Sequence, residues 1–329
     1  MLYSNQYYLT IFINLCQYDT LHIHYNYDDN GYPDTDKIIY KISDVNHSEY
    51  ANGSTCTSGS LDNLRVNINE MSVTIKGSLA KYYLGNNFQT LSQKTTSEAI
   101  EKLSDDLNLD INLCKVSRID LSTNFITDFK PTLYYDYLDS LMRFQRLVQP
   151  DSLYYQQGSK RLLFYDKTKW AKQMRIEIPK QYEDQNILRY EMVLNKGITK
   201  YLKLDKITMQ DLHGDSMYSR LVEEWYNFYN RIEKKPSKEI VLNTHNIKSP
   251  KDFDKELLVY LARTKGLDYI DNMIKDLKAR NAFTSDEYYS RLKAKYREYS
   301  KVEIDSEDII SEISEKVEEV FQREFNPPF

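Results

Sequence analysis

The sequence predicts an α+β fold, in which helices pack on one antiparallel sheet, followed by a helical C-terminal region. Short stretches of alternating apolar and polar residues fill the first part of the chain, with Asn-Gly turns at Asn30–Gly31 and Asn52–Gly53 between them. Strand and helix patterns then follow in the order strands, helix, strand, helix, strands, which favours helices layered on an antiparallel sheet. After about residue 235 the apolar spacing is almost entirely helical.

Period-two alternation predicts the strands of the N-terminal part. These strands are Tyr8–Asn14, Thr20–Tyr27, Lys37–Ser43, Leu64–Asn69 and Met71–Lys76. Apolar residues at helical spacing then predict a helix over Thr95–Asn108, and a further strand is predicted at Val116–Phe125.

The middle of the chain is predicted to contain one helix and two strands. Pro131 suits the first turn of a helix, so the apolar spacing after it predicts a helix over Leu133–Leu147. The two strands are predicted at Arg161–Asp166 and Ile187–Leu194.

The C-terminal part is predicted to form a second domain. A polar, proline-containing connector around Lys234–Ser237 and Asn243–Pro250 divides the chain into residues 1–235 and 236–329. Helices are predicted at Asp252–Ala262, Leu267–Leu277, Asp286–Tyr299 and Ser306–Phe325. The last of these helices ends the chain as an acidic tail.

Composition and charge exclude several classes of protein. The 329 residues are 41% hydrophobic, which excludes a wholly disordered chain. No stretch approaches the roughly 18 uninterrupted apolar residues of a spanning helix, so no membrane partner is expected. Three widely spaced cysteines without a C-x-x-C pair favour a reducing, cytoplasmic setting.

The charge is unevenly distributed, although the net charge is only −5. Residues 143–200 contain twelve basic and six acidic side chains, whereas residues 301–324 contain three basic and nine acidic ones. The middle segment is therefore where a polyanion is expected to bind.

Two strands carry the same pairing of an arginine with an acidic residue. In Val116–Ser122, alternation places Val116, Arg118, Asp120 and Ser122 on one face, and Leu188–Leu194 repeats the arrangement with Arg189 and Glu191. Two carboxylates that converge in one sheet offer the hard oxygen ligands that Mg²⁺ or Mn²⁺ prefers. The alternative is a pair of partly buried salt bridges, and the spacing does not decide between them.

Two glycine-led segments are further candidates. In Gly158–Lys167 the strand ends at Tyr165, with Lys167 close by, and Tyr165 is a candidate nucleophile. A tyrosine becomes a nucleophile only when a cation such as Lys167 or a base lowers its pKa. Packing in the core is the alternative for one of 29 tyrosines. In Gly77–Phe88, Lys81 and nearby backbone amides suit a phosphate, unless the segment is simply a loop between strand and helix.

His22-Ile23-His24 on the second predicted strand is a histidine-hydrophobic-histidine pattern. It places both imidazoles on one face, as a metal site requires. The alternative is a half-buried strand with two polar outward positions.

Four motifs in one order resemble a known family. They are GSLAKYYLGNNF, VSRIDLSTNF, GSKRLLFYDK and LRYEMVL, between about Ser72 and Leu204. Together they resemble the rolling-circle replication initiators of filamentous phages, the gene II or phage X group, and the related Rep_trans plasmid initiators. The resemblance implies an HUH-type endonuclease fold, with a metal site on the sheet and a tyrosine that attacks one DNA strand.

The resemblance also implies roles for individual residues. Tyr165 is then the nucleophile, and Asp120 and Glu191 hold Mg²⁺ or Mn²⁺. The predicted DNA and phosphate contacts are Arg118, Arg189, Lys81, Lys167, Lys160 and Arg161. The wider superfamily binds metal through its two histidines, whereas these relatives rely on carboxylates. His22 and His24 are therefore the second candidate ligand set.

The resulting hypothesis is a replication initiator that nicks one strand of its origin DNA, single-stranded or hairpin, and keeps the 5′ phosphate on Tyr165 while releasing a 3′ hydroxyl. A relaxase for mobilisation and a non-catalytic origin-binding protein are the alternatives. The acidic tail ends in Phe325-Asn326-Pro327-Pro328-Phe329, which is similar to the docking tips of single-stranded-DNA-binding proteins. It is expected to contact a host helicase or another replication protein.

Overall fold

The computed structural model describes residues 16–89, 91, 93–235, 247–264, 266–299 and 307–325. The predicted strand Tyr8–Asn14 and the last four residues lie outside these ranges. The fold is α+β, with one large antiparallel sheet, helices packed on it and a helical C-terminal region, as the sequence predicts.

Ten strands form a single sheet in which every neighbouring pair is antiparallel. They are β1 (Gln17–Asn26), β2 (Ser43–Glu49), β3 (Thr55–Leu61), β4 (Leu64–Asn69), β5 (Ser72–Ser78), β6 (Lys115–Thr127), β7 (Gln145–Gln149), β8 (Ser152–Gln157), β9 (Lys160–Asp166) and β10 (Asn186–Asn195). Their order across the sheet is β2-β3-β4-β5-β1-β6-β10-β9-β8-β7. The two long strands β6 and β10 are therefore central neighbours.

The helices lie between and after the strands. They are α1 (Tyr27–Asn30), α2 (Thr35–Lys41), α3 (Leu79–Leu84), α4 (Gln93–Leu107), α5 (Pro131–Tyr137), α6 (Lys167–Gln173), α7 (Ile198–Leu202), α8 (Met209–Leu212), α9 (Asp215–Arg231), α10 (Pro250–Thr264), α11 (Gly266–Ala279), α12 (Asp286–Tyr299) and α13 (Glu307–Phe325). None of the described helices is long and apolar enough to cross a membrane.

One face of the sheet is apolar and covered by helices. The alternating inward residues of β6 and β10, such as Leu121 and Tyr190, join one large buried cluster with Trp225 of α9 and Leu103 of α4. Burial of this apolar surface is the main driving force for folding. The opposite face carries the polar alternate residues, among them Arg118, and contains a pocket.

The last helix packs on this same core rather than on α10 to α12. Ile313 and Val317 of α13 are fully buried in the large cluster, and α13 contacts α9, α5 and β6. Tyr134 of α5 donates a hydrogen bond to Glu312. The division at residue 235 stays a prediction, and α13 packs across that boundary.

Most predicted elements are confirmed, including the strands of the motifs and the four C-terminal helices. The predicted strand Lys37–Ser43 is wrong. The segment forms α2, because the side chain of Asp34 accepts a hydrogen bond from the backbone of Lys37 and because Ile38 and Ile42 pack on the core at helical spacing.

The predicted helix Leu133–Leu147 is only half right. The helix ends at Tyr137, and residues 145–149 form β7. Arg146 donates hydrogen bonds to the carbonyls of Leu138 and Tyr135, which hold the chain as it leaves the helix. The strands β2, β3 and β8 escaped the sequence analysis, because their polar residues obscure the alternation.

Candidate active site

A pocket of about 480 Å³ opens on the polar face of the sheet. Its floor comes from the central strands, and α6 and the start of α3 form its walls. The lining includes Asp19, Asp120, Tyr165, Glu191, Arg118, Lys81, Tyr154 and Trp170. Three of the predicted catalytic and metal-binding side chains therefore share one cavity.

Strand register brings the predicted nucleophile to the predicted acidic residue. Tyr165 lies opposite Arg189, two positions from Glu191 on the same face of β10. Diagonal neighbours of this kind are within reach of long side chains. The Tyr165 hydroxyl donates a hydrogen bond to Glu191 Oε1 at 3.0 Å.

Arg189 organises the floor of the pocket. Its Nε donates to Glu191 Oε1 at 2.6 Å, and its Nη2 donates to Asp19 Oδ2 at 2.5 Å. The remaining contacts are Nη2 to Ser122 Oγ at 2.7 Å, Nη1 to Asn124 Oδ1 at 3.0 Å and Nη1 to the Asn87 carbonyl at 3.1 Å. A guanidinium group has five N–H donors, and these contacts use all of them.

The predicted phosphate contact of Arg189 does not fit this geometry. The side chain is 1% exposed and has no N–H left for a ligand. Arg189 is instead a positioning residue, which fixes the carboxylates of Asp19 and Glu191 beside the predicted nucleophile.

Asp19 is a site residue that sequence analysis missed. Strict alternation from Leu21 and Ile23 would place Asp19 in the core, but the register between β1 and β6 shifts by one residue between Tyr18 and Leu21. A bulge of this type re-aims side chains, and it puts both Asp19 and Thr20 on the pocket. No signal in the sequence marks the bulge.

Asp19 is ionised within a dense set of donors. Burial by itself would raise its pKa, but Arg189 and a hydrogen bond from Ser78 Oγ bring the pKa below its ordinary value. Asn87, in the loop after α3, also donates to Asp19 Oδ2 at 3.4 Å. The carboxylate is therefore a fixed negative charge beside the nucleophile.

Arg118 and Asp120 form a bidentate pair at the rim. Arg118 Nε and Nη2 donate to the two carboxylate oxygens of Asp120 at 2.7 and 2.5 Å. Burial raises the pKa of Asp120 to about 7, with Glu191 and Asp19 adding to the rise and Arg118 opposing it. A further positive charge in the pocket would relieve this repulsion between carboxylates.

The predicted grouping of Val116 with Arg118 is wrong. The register between β1 and β6 shifts again between His22 and Ile23, and Val116 is buried in the core while Arg118 lines the pocket.

Lys167 is fully buried at the start of α6. Its ammonium group donates to Asn87 Oδ1 at 2.6 Å and lies 4.3 Å from the centroid of the Trp170 ring. Burial and the charge of Arg189 lower its pKa well below the ordinary value. Direct contact with a DNA phosphate, as predicted, would require Lys167 to move.

Lys81 is the lysine that reaches the pocket itself. Ser78 caps the short helix α3 by accepting a hydrogen bond from the Lys81 backbone, and the Lys81 ammonium lies 5.0 Å from the Trp170 centroid. Its position is consistent with the predicted phosphate contact.

Lys160 and Arg161 lie on opposite faces of β9. Lys160 lies on the helix side, with its ammonium 4.5 Å from the ring centroid of Tyr201. Arg161 lies on the pocket side, near the ring of Tyr154. Lys160 is therefore separated by the sheet from Tyr165, and its predicted contact with the flanking DNA backbone stays a prediction.

The two histidines lie on the polar face beside the pocket. His24 uses both ring nitrogens, which lie 3.1 Å from Thr74 Oγ1 and 2.7 Å from Ser117 Oγ. Burial, followed by the charges of Arg118 and Lys76, lowers the pKa of His22 to about 4. This positive setting disfavours a metal cation, so the geometry does not support His22 and His24 as ligands.

The phenol of Tyr165 is protonated in this arrangement. Burial, followed by the charge of Glu191, raises its pKa well above the ordinary value. The hydrogen bond to Glu191 nevertheless gives the proton a direct acceptor, which is the geometry that general-base activation needs.

The chemistry of the donor set fits a hard divalent cation. Among the residues that the structure describes, no three His, Cys, Asp or Glu side chains form a group that could hold a metal ion. Mg²⁺, however, often takes only one or two carboxylates from the protein and keeps several waters. Asp120 and Glu191 supply that number. Burial is the main cause of the raised pKa of Asp120, and the charge of Glu191 adds to it.

Comparison with known proteins adds one family. The model of the family described as the N-terminal part of the gene II replication-associated protein matches residues 28–256. This range contains all four motifs and the three strands β6, β9 and β10 that form the floor of the pocket. No curated protein matches the chain with significance.

Proposed function

The chain belongs to the family of gene II replication-associated proteins, and from that premise we propose that it initiates rolling-circle replication by nicking one strand of origin DNA. The match supports the resemblance to the phage initiator group. The observation that carries the proposed chemistry is the hydrogen bond from the Tyr165 hydroxyl to Glu191 inside the pocket.

The proposed reaction is a transfer of a phosphodiester to tyrosine. Tyr165 Oη attacks the scissile phosphorus while its proton passes to Glu191. The new bond joins Oη to phosphorus, and the bond from phosphorus to the 3′ oxygen breaks. The 3′ oxygen takes a proton from water and becomes a free primer terminus, and the resulting hydroxide takes the proton held by Glu191. The 5′ phosphate stays on Tyr165 for later rejoining.

The other residues of the pocket stabilise the charges of this reaction. Arg118 and Lys81 are suited to offset negative charge on the phosphate oxygens, because both line the pocket. A Mg²⁺ or Mn²⁺ ion held by Asp120 and Glu191 would supply Lewis-acid polarisation of the phosphate. Arg189 fixes the direction of Glu191 toward the phenol.

A denaturing gel tests the proposal. Labelled single-stranded oligonucleotides tiled across the replicon's intergenic regions are incubated with Mg²⁺ or Mn²⁺ and with wild-type protein, Tyr165→Phe or Tyr154→Phe. Tyr154 is the matched control, because it is another phenol that lines the same pocket. We expect a protein-linked DNA band with wild-type protein and with Tyr154→Phe. The band should be absent with Tyr165→Phe and in the presence of a chelator.

A non-catalytic origin-binding protein is the second candidate. The observation in its favour is that Asp120 and Glu191 both form ion pairs with arginines, as purely structural carboxylates do. It predicts sequence-selective binding in a shift assay and no cleavage of any oligonucleotide in the tiled set.

A further inference from the structure

A row of basic side chains leads away from the pocket across four neighbouring strands. Arg118 of β6 lies opposite His22 of β1, His22 lies opposite Lys76 of β5, and Lys76 lies opposite Arg65 of β4. At a strand spacing of about 4.8 Å, the row is about 14 Å long. It starts at the pocket, because Arg118 lines the cavity.

This row belongs to a polar face with a uniform character, defined by the outward residues of β1, β3, β4 and β5. Besides Arg65, Lys76, the two histidines and Asp19, these positions are serine, threonine, asparagine, one glutamine and one cysteine. None of the outward positions on these four described strands is acidic or aromatic, apart from Asp19 at the bulge beside the pocket. Arg65 and Lys76 are exposed.

The polar face differs from the pocket in a way that indicates its ligand. Unpaired nucleotides are bound by stacking on aromatic rings, and the pocket offers Tyr154 and Trp170 for that purpose. Paired DNA keeps its bases inside the helix and presents phosphates, which cations and small polar donors contact. The polar face supplies only the cations and small polar donors that contact phosphates.

We propose that the polar face binds the backbone of a paired DNA arm that adjoins the unpaired cleavage site. This inference rests on the proposed function and extends it, since it assigns Arg65 and Lys76 to the duplex next to the scissile phosphate. His22, which lies between Arg118 and Lys76, stays neutral at pH 7 and serves there as a hydrogen-bond donor. The face is continuous with the pocket, so one substrate spans both surfaces.

The salt dependence of binding tests this assignment. Each phosphate contact with duplex DNA contributes about 0.9 to the slope of log K against log salt. The double variant R65Q/K76Q should lower the slope by about 1.8 for a probe in which a single-stranded segment is joined to a hairpin. Between about 50 and 200 mM salt, the ratio of the association constant of wild-type protein to that of R65Q/K76Q should then fall roughly 12-fold.

The matched control removes two exposed lysines from the helix-covered side. Lys37 of α2 and Lys94 of α4 are exposed, and K37Q/K94Q changes the net charge by the same amount. This control should leave the slope unchanged. The single-stranded segment without its hairpin should bind R65Q/K76Q and wild-type protein equally.

Three outcomes would overturn the assignment. They are an unchanged salt slope in R65Q/K76Q, a decrease in slope in K37Q/K94Q as large as that in R65Q/K76Q, and a loss of binding by R65Q/K76Q that is as large on the single-stranded probe as on the hairpin probe. Failure of the proposed nuclease is seen separately, as the absence of cleavage by wild-type protein. The salt slopes test the role of the polar face whether or not the wild-type protein cleaves DNA.

Discussion

Arg189 offers the most demanding test of how the pocket is built. The Arg189→Met substitution removes the guanidinium and leaves Asp19 and Glu191, which are 8% and 11% exposed, without their main counter-charge. Removing one partner of a buried ion pair costs about 3–5 kcal/mol, because the remaining charge is left uncompensated. We expect the free energy of unfolding to fall by about that amount.

A double-mutant cycle separates this effect from the loss of packing. In Arg189→Met combined with Asp19→Asn, one of the stranded carboxylates is neutral, so the double variant should be more stable than the sum of the two single losses by about 1–3 kcal/mol. Guanidinium unfolding followed by tryptophan fluorescence measures this, since Trp170 and Trp225 both lie in the sheet domain. A loss below about 1 kcal/mol in Arg189→Met, or additive single losses, would refute the positioning role.

Three further predictions concern the last helix, the effect of pH and the metal. Ile313→Ala should lower the free energy of unfolding by about 2–5 kcal/mol, because Ile313 is fully buried in the main core. Ser311→Ala on the exposed side of α13 should change the free energy of unfolding by less than about 0.5 kcal/mol. Equal effects of the two substitutions in urea unfolding would mean that α13 does not belong to the core. Burial raises the pKa of Glu324 from 4.5 to about 7, so the folded state keeps a proton that the unfolded state loses and stability falls as pH rises through this window. The free energy of unfolding of Glu324→Gln should therefore exceed that of wild-type protein by up to about 3 kcal/mol at pH 8 and should equal it at pH 4. A difference in melting temperature that does not depend on pH would contradict this. Asp120→Asn should abolish metal-dependent cleavage while DNA binding in a shift assay is retained; unchanged cleavage would exclude Asp120 as a ligand.

Much of the site follows from simple alternation along two strands. The period of two places Arg189 and Glu191 on one face of β10 and Tyr165 on one face of β9, and the sheet then brings these faces together. The same rule separates Lys160 from Arg161, although the sequence analysis grouped them as backbone contacts. What alternation does not supply is register, and register decides that Tyr165 reaches Glu191.

The residues that the sequence did not reveal depend on irregularities and distant contacts. Asp19 reaches the pocket through a bulge in β1, and Asn87 reaches it from a loop that is fixed by contacts to Lys167 and Arg189. Neither feature has a local signature. The apolar stripe of α13 was visible in the sequence, but the surface that it covers was not, since that surface forms only when the sheet and α9 are assembled.

In the proposed reaction, Tyr165 carries the covalent link to DNA. Protease digestion of the protein–DNA adduct, followed by mass spectrometry of the nucleotide-linked peptide, locates that link directly. We expect a single modified peptide with the 5′ phosphate on Tyr165. A link to another tyrosine such as Tyr154, or cleavage that leaves the 5′ phosphate free, would contradict it.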